Sequence, residues 1–229
     1  MSLPEDGVVE ISIYEIPSIL SAHPIELLSE EERHRADRFR FESDRCRFIA
    51  SHIALRLKLA EYLDINPKEI TFHYGPYGKP YIHSSTLRFN LSHSAAIVAM
   101  AFANSVEVGI DAESLLRKVS DRDALARRFF TSEEYASYLE ATDHTLAFFR
   151  IWTRKEAFIK CTGEGLHRTL SSFIVNVDPQ PRLLSVDGSA SKARRFTMHE
   201  VIVQNHLVSS IAMSSQAKFR TNFRLQPFM

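Results

Sequence analysis

Apolar and polar residues alternate over residues 8–16, V-V-E-I-S-I-Y-E-I, at the period of a half-buried strand. Ser29 then has the character of an N-cap, with Glu30, Glu31 and Glu32 in the first turn of an arginine-rich helix. Asp44 is read as the cap of a second helix that runs to about Leu63. Its apolar residues Phe48, Ala54 or Leu55, Leu59 and Leu63 recur at helical spacing. Asn66-Pro67 ends that unit, and residues 70–74 read as a short strand. Residues 73–82, H-Y-G-P-Y-G-K-P-Y-I, are punctuated by glycine and proline and form a loop that carries Lys79. Over 89–103, F-N-L-S-H-S leads into a nearly continuous small and apolar run, the pattern of a buried central strand. Asn104-Ser105 is a turn, and 106–113, V-E-V-G-I-D-A-E, is the partner strand.

The pattern then restarts. A helix is expected over 124–130, and Thr131 or Ser132 caps another, with Glu134 placed as in a capping box. A longer helix follows over 148–166 and breaks at Gly163. On a helical wheel Phe148, Ile151, Trp152, Phe158 and Ile159 share one apolar arc, and Lys155 falls inside it. Trp152, Glu156 and Lys160 form a row along its flank. Residues 172–178 read as a strand and 179–192 as a soft, turn-rich stretch. Residues 196–203 and 207–213 are the last strands, and 220–229 is a tail. The order β-αα-β-β-β therefore recurs once, about a midpoint near 105, as α+β halves 1–105 and 106–229.

Composition narrows the function classes. The chain has 28 basic and 28 acidic residues and is 45% hydrophobic, so it lacks the basic excess of a nucleic-acid binder. No run approaches the roughly 20 apolar residues of a membrane span, and the polar start has no apolar leader segment. Cys46 and Cys161 make neither a disulfide framework nor a zinc site. A soluble cytoplasmic protein is expected.

Alternation puts Asp111 and Glu113 on one face of a strand, with Ile110 and Ala112 turned to a core. Two neighbouring carboxylates repel when ionised and favour a cation, and oxygen ligands of this kind suit Mg²⁺ with phosphates. The alternative is a solvated acidic strand end. Gly109 allows a ligand or another backbone to come close. Glu156 adds a third carboxylate if its helix packs beside that strand, with Lys155 and Lys160 bracketing the site. By the blander reading Lys155 snorkels and Glu156 with Lys160 is a surface pair. Ser92-His93-Ser94 could donate to phosphate oxygens or simply end a strand. The arginines Arg33, Arg35, Arg38, Arg40, Arg45 and Arg47 bind a second phosphate or form a solvated face.

Together these stretches resemble the 4′-phosphopantetheinyl transferases of the surfactin-synthetase type. G-I-D-A-E at 109–113 is similar to that family's G-[IV]-D-[ILV]-E, and W-T-R-K-E-A-F-I-K at 152–160 to its W-[ST]-x-K-E-[AS]-x-x-K. Y-G-K-P at 77–80, F-N-L-S-H-S at 89–94 and R-F-F-T-S-E-E-Y at 128–135 match its other blocks. The resemblance implies an α+β fold of two similar halves related by a pseudo-twofold, with the active site between them. It implies transfer of the phosphopantetheine arm of coenzyme A to a serine of an apo acyl, peptidyl or polyketide carrier protein, releasing 3′,5′-ADP. It places Mg²⁺ on Asp111, Glu113 and Glu156. The charges then put the serine proton on a carboxylate near the metal, Glu156, directly or through a water, and the transferred phosphate against Lys160. The resemblance places coenzyme A contacts on Arg35, Arg47, Lys79, Ser92, His93, Lys155 and Lys160.

Two positions depart from the family. Ala112 replaces a larger aliphatic, and Glu32 stands where some members carry a lysine for the 3′-phosphate, a contact left to Arg33 or Arg35. The two-half design implies a monomer. A non-catalytic binder of coenzyme A or carrier proteins, or a Mg²⁺-dependent phosphodiesterase, are the other readings; the intact acids oppose the first and the zero net charge the second.

Overall fold

The computed structural model describes residues 2–16, 20, 24–203, 206–214 and 220–225. The first part holds β1 (Val8–Glu15), α1 (Glu30–Asp37), α2 (Glu42–Leu63), β2 (His73–Tyr74), β3 (Pro80–Tyr81), β4 (Leu87–Ser94) and β5 (Ile97–Asn104). The second holds β6 (Val108–Ser114), α3 (Arg122–Phe129), α4 (Ser132–Glu140), α5 (His144–Thr162), β7 (Phe173–Val175), β8 (Leu183–Val186), α6 (Ala190–Ala193), β9 (Thr197–Val203) and β10 (Leu207–Met213), followed by β11 (Arg220–Leu225). The fold is α+β. One sheet has the order β11-β1-β5-β4 and the other β6-β10-β9. Leaving β11 aside, each sheet pairs its first strand with its last and its last with its penultimate, all antiparallel. That shared order is the duplication seen in the hydrophobic pattern.

The molecule is layered as helix, sheet, sheet, helix. Phe89, Met100 and Phe102 on one face of the first sheet pack with Ile53, Leu55 and Leu59 of α2. The other face, with Val9, Ile11, Ile13, Ala99 and Ala101, meets Val108, Ile110, Ala112 and Ile211 of the second sheet. Ala112, the small residue in the G-I-D-A-E stretch, lies in this inter-sheet layer. Phe158 and Ile159 of α5 pack with Phe173, Met198 and Ala212 on the far side. Burying each such phenylalanine is worth roughly 1.5–3 kcal/mol relative to exposure.

The two helical units are fastened by the same device. Ser29 Oγ accepts from Glu32 N and Ser29 N donates back to Glu32 Oε2, closing a capping box on α1; Thr131 and Glu134 do the same on α4. Each glutamate then reaches a buried cation on the following long helix: Arg56 Nε lies 2.7 Å from Glu32, and Lys155 Nζ lies 2.8 Å from Glu134. Each cation also donates to two backbone carbonyls, Pro67 and Ile70 for Arg56, Leu170 and Phe173 for Lys155. Each lies over a phenylalanine ring, Phe72 or Phe173.

Several local readings are corrected. Residues 89–103 do not feed a single strand: β4 and β5 form a hairpin that turns at Ala95-Ala96, with Ala95 at φ 51°. No glycine or asparagine announces that turn. β6 pairs with β10 and not with β5. Asp44 is not the cap of α2, which starts at Glu42, and its carboxylate pairs with Arg47. The expected strand over 70–74 shortens to the two residues of β2. The soft stretch holds β8 and α6. The expected tail is a strand over its first part, since β11 pairs in parallel with β1 from Val8↔Arg220 to Ile13↔Leu225; residues 226–229 lie outside the described residues. Among the described residues no helix is long and apolar enough to cross a membrane.

Candidate active site

β6 sorts its side chains by alternation. Val108, Ile110 and Ala112 enter the layer between the sheets, and Gly109, Asp111 and Glu113 face α5. At Gly109 the two backbones touch: an added Cβ would stand 2.1 Å from Ala157 O and 2.3 Å from Cys161 N. The expected close approach at Gly109 is made by the backbone of α5. It brings Glu156 and Lys160 of that helix beside the acids of β6. α5 begins with Asp143 Oδ1 accepting from Leu146 N and ends at Gly163, whose φ of 75° suits glycine.

Asp111 Oδ1 accepts from Lys160 Nζ at 2.6 Å and from Ser92 Oγ at 2.8 Å. Asp111 Oδ2 is buried and has no hydrogen-bond partner among the described residues. Glu113 is held at both oxygens, by Ser94 Oγ at 2.7 Å and by Arg117 Nη1 at 2.6 Å. Burial, then the charge of Asp111, then that of Glu113 push the Glu156 carboxyl up to about 7, against the opposing pull of Lys160. Burial lowers the pKa of His93, helped by the charges of Lys160 and Arg47.

β4 supplies the floor. Its outer edge runs beside β6, joined by side chains in place of a backbone ladder: Asn90 Oδ1 accepts from Ile110 N, and Ser94 Oγ from Ser114 N. The alternate residue His93 turns away and lines two cavities. One, of about 540 Å³, is polar, with Asp44, Arg47, Ser94 and Arg117 in its wall. The other, of about 270 Å³, is aromatic, with Phe48, His52, Phe72, Tyr74 and Phe89 in its wall and Arg35 beside them. The Arg35 guanidinium lies 5.3 Å over the Phe48 ring.

Asp111, Glu113, Glu156, Lys160, Ser92, His93 and Arg47 are therefore brought together, with Arg35 one cavity away. Two expected coenzyme A contacts are not. Lys155 is 0% exposed and fully engaged by Glu134 and two carbonyls; it faces the α4–β7 side of its helix, neither snorkelling nor meeting the site. Burial lowers its pKa, opposed by Glu134. Lys79 Nζ donates to Glu107 Oε2, Val108 O and Cys161 O, which commits all three of its protons to tying its loop to β6 and α5. Ser92 donates its hydroxyl proton to Asp111 and so orients that carboxylate. Glu32 has a structural task, as the capping and core carboxylate described above. Within the arginine cluster Arg45 pairs with Asp37 and Glu42 on the surface.

Sequence reasoning missed Arg117 and the roles of Ser94 and Asn90. The i, i+2, i+4 spacing of Asn90, Ser92 and Ser94 was the available signal for a polar strand face.

The donor set suits a divalent cation that binds with substrate oxygens. Asp111 Oδ2 is a buried oxygen without a donor among the described residues, and three carboxylates, Asp111, Glu113 and Glu156, lie on the facing β6 and α5. Among the described residues no three His, Cys, Asp or Glu side chains form a ready-made metal cage, so ligands from outside the protein would complete the shell.

Residues 107–210 match a family described as the 4′-phosphopantetheinyl transferase superfamily, and residues 21–105 one described as 4′-phosphopantetheinyl transferase, N-terminal. The chain is 35% identical over 201 residues to 4′-phosphopantetheinyl transferase HetI of Nostoc sp., covering 84% of this chain and 82% of that one. It is 37% identical over 184 residues to a Bacillus pumilus 4′-phosphopantetheinyl transferase, covering 78% and 73%. It is 33% identical over 153 residues to the Sfp enzyme of Bacillus subtilis, covering 66% of each.

Proposed function

Since the chain belongs to the 4′-phosphopantetheinyl transferase family, we propose that the site around Asp111, Glu156 and Lys160 moves phosphopantetheine from coenzyme A to a serine of an apo carrier protein. The chain is a transferase enzyme with coenzyme A and a carrier protein as its substrates. The observation that carries the site assignment is the Asp111 carboxylate, paired to Lys160 through one oxygen and unpartnered at the other. His93, next to Ser92 on β4, lines both the polar cavity and the aromatic one.

In the reaction the serine oxygen bonds to the phosphorus that carries the pantetheine arm. The bond from that phosphorus to the bridging oxygen breaks, and 3′,5′-ADP leaves. Glu156, beside Asp111 and Lys160, accepts the serine proton. Lys160, with a side chain 25% exposed, faces the charge that grows on the transferred phosphate. His93 and Arg47 line the polar cavity and hold the 5′-phosphate of the departing 3′,5′-ADP. The aromatic cavity suits the adenine ring, with Arg35 near the 3′-phosphate. Asp111, Glu113 and Glu156 would hold Mg²⁺, which when bound would neutralise charge on the pyrophosphate. The acids on β6, the serines on β4 and the cations on α5 and α2 meet between the halves 1–105 and 106–229, which supports a site at that boundary. The residues of the site all come from one chain, which supports an enzyme that acts as a monomer.

The test is a mass-shift assay with a panel of apo carrier proteins, coenzyme A and Mg²⁺. A carrier that gains one phosphopantetheine, and fails to gain it with Asp111→Ala, supports the reading. No gain on any acyl, peptidyl or polyketide carrier overturns it.

A further inference from the structure

Ser94 and Arg117 grip the two oxygens of Glu113, and they differ in how firmly they are fixed. Ser94 is 5% exposed. It donates to Glu113 Oε2 at 2.7 Å while accepting from Ser114 N at 3.1 Å, so its hydroxyl is oriented by backbone. Arg117 donates to Glu113 Oε1 at 2.6 Å, yet its side chain is 55% exposed. An ion pair with one partner so solvated is weak and readily exchanged. Asp111 differs, since its second oxygen is buried without a hydrogen-bond partner among the described residues. The two carboxylates, two residues apart on β6, are thus each met by a serine from β4, again two residues apart, as the shared strand period requires.

We infer that Ser94 is a positioning residue that orients the Glu113 carboxylate toward a divalent cation, and that Arg117 is a displaceable counter-charge that occupies Glu113 until the cation binds. This rests on the reading of Asp111, Glu113 and Glu156 as the cation site. The geometry gives the two neighbours of Glu113 opposite effects. Losing Ser94 frees the carboxylate to rotate and weakens cation binding, as loss of an oriented outer partner does elsewhere. Losing Arg117 removes a competitor and strengthens it. A merely structural role for both would move binding in one direction or leave it unmoved.

Calorimetric titration of the full chain with Mn²⁺ alone, beside a melting curve for each variant, tests this. Ser94→Ala is expected to weaken Mn²⁺ about tenfold, and Ser94→Thr, which keeps the hydroxyl, to restore most of that loss. Arg117→Gln is expected to tighten Mn²⁺ by about two- to fivefold. Wild-type Mn²⁺ affinity in a folded Ser94→Ala, or weaker binding in Arg117→Gln, overturns the inference. If Ser94→Ala does not fold, the sign of the Arg117→Gln change decides alone. Asp111→Asn separates the two levels. If it abolishes Mn²⁺ binding while the Ser94 and Arg117 variants behave as wild type, only this inference fails. If it too binds normally, the cation-site reading fails with it.

Discussion

The backbone of Gly109 lies directly beneath that of Ala157, so closely that a Cβ on the glycine would stand 2.1 Å from the Ala157 carbonyl oxygen. This contact sets the separation of β6 and α5, and with it the placing of Asp111 against Lys160. Both obstructing groups are backbone, so neither can rotate away. Gly109→Ala is expected to displace α5 and to cost about 1–3 kcal/mol or more in stability. Transfer activity falls further than that loss explains, because the 2.6 Å contact between Lys160 and Asp111 opens. Urea denaturation and transfer rates on the same preparation check this; a stable, fully active variant would refute it.

Glu156 is the group assigned the serine proton. Glu156→Gln keeps the shape of a side chain that is only partly buried, so the protein stays folded and binds coenzyme A. The transfer rate drops at least ~10²-fold if general-base action is lost. Single-turnover rates with saturating coenzyme A measure this directly, and a near wild-type rate removes Glu156 from that role.

Lys155 and Glu134 form a pair in which both side chains are 0% exposed. Lys155→Met leaves an uncompensated buried carboxylate and is expected to cost about 3–5 kcal/mol. Adding Glu134→Gln recovers part of that loss. A contact to coenzyme A would predict the reverse, an intact protein with a raised KM. Chemical denaturation of the single and double variants, with KM for coenzyme A, distinguishes the two.

Glu32 makes stability depend on acid. Burial would raise its pKa, but hydrogen bonds from His52 and Ser29, with the charges of His52 and Arg56, outweigh burial and pull it from 4.5 to about 2. A depressed carboxylate stabilises the fold above its unfolded value and loses that contribution as pH falls. The window therefore runs from about 4.5 down to about 2, and the amount at stake is on the order of 3 kcal/mol. Stability measured against pH should fall across that window in the wild type and change less in Glu32→Gln, which is already weaker at pH 7.

Much of this protein was legible in its sequence, because strand and helix periods and capping chemistry act over a few residues. The period of two turned Asp111 and Glu113 to one face and Ile110 and Ala112 to the other. The spacing of Ser29 with Glu32, and of Thr131 with Glu134, started two helices, and Gly163 stopped a third. The recurrence of one pattern of elements gave the duplicated α+β architecture.

Tertiary packing decided which charges meet. Lys155 and Lys160 lie on one helix and both were read as facing phosphate. Five residues is about 1.4 turns, so the two ammoniums leave α5 in different directions. Lys160 reaches Asp111, whereas Lys155 enters a closed space whose acceptors come from Glu134, Leu170 and Phe173. Lys79 is captured in the same way by Glu107 and two carbonyls. A lysine's sequence neighbours record its helix face, but its partners are contributed by segments far along the chain. That is why local pattern, with the family resemblance, marked the carboxylates as candidates, while the partners of the cations and serines emerged only once the sheets and helices were in place.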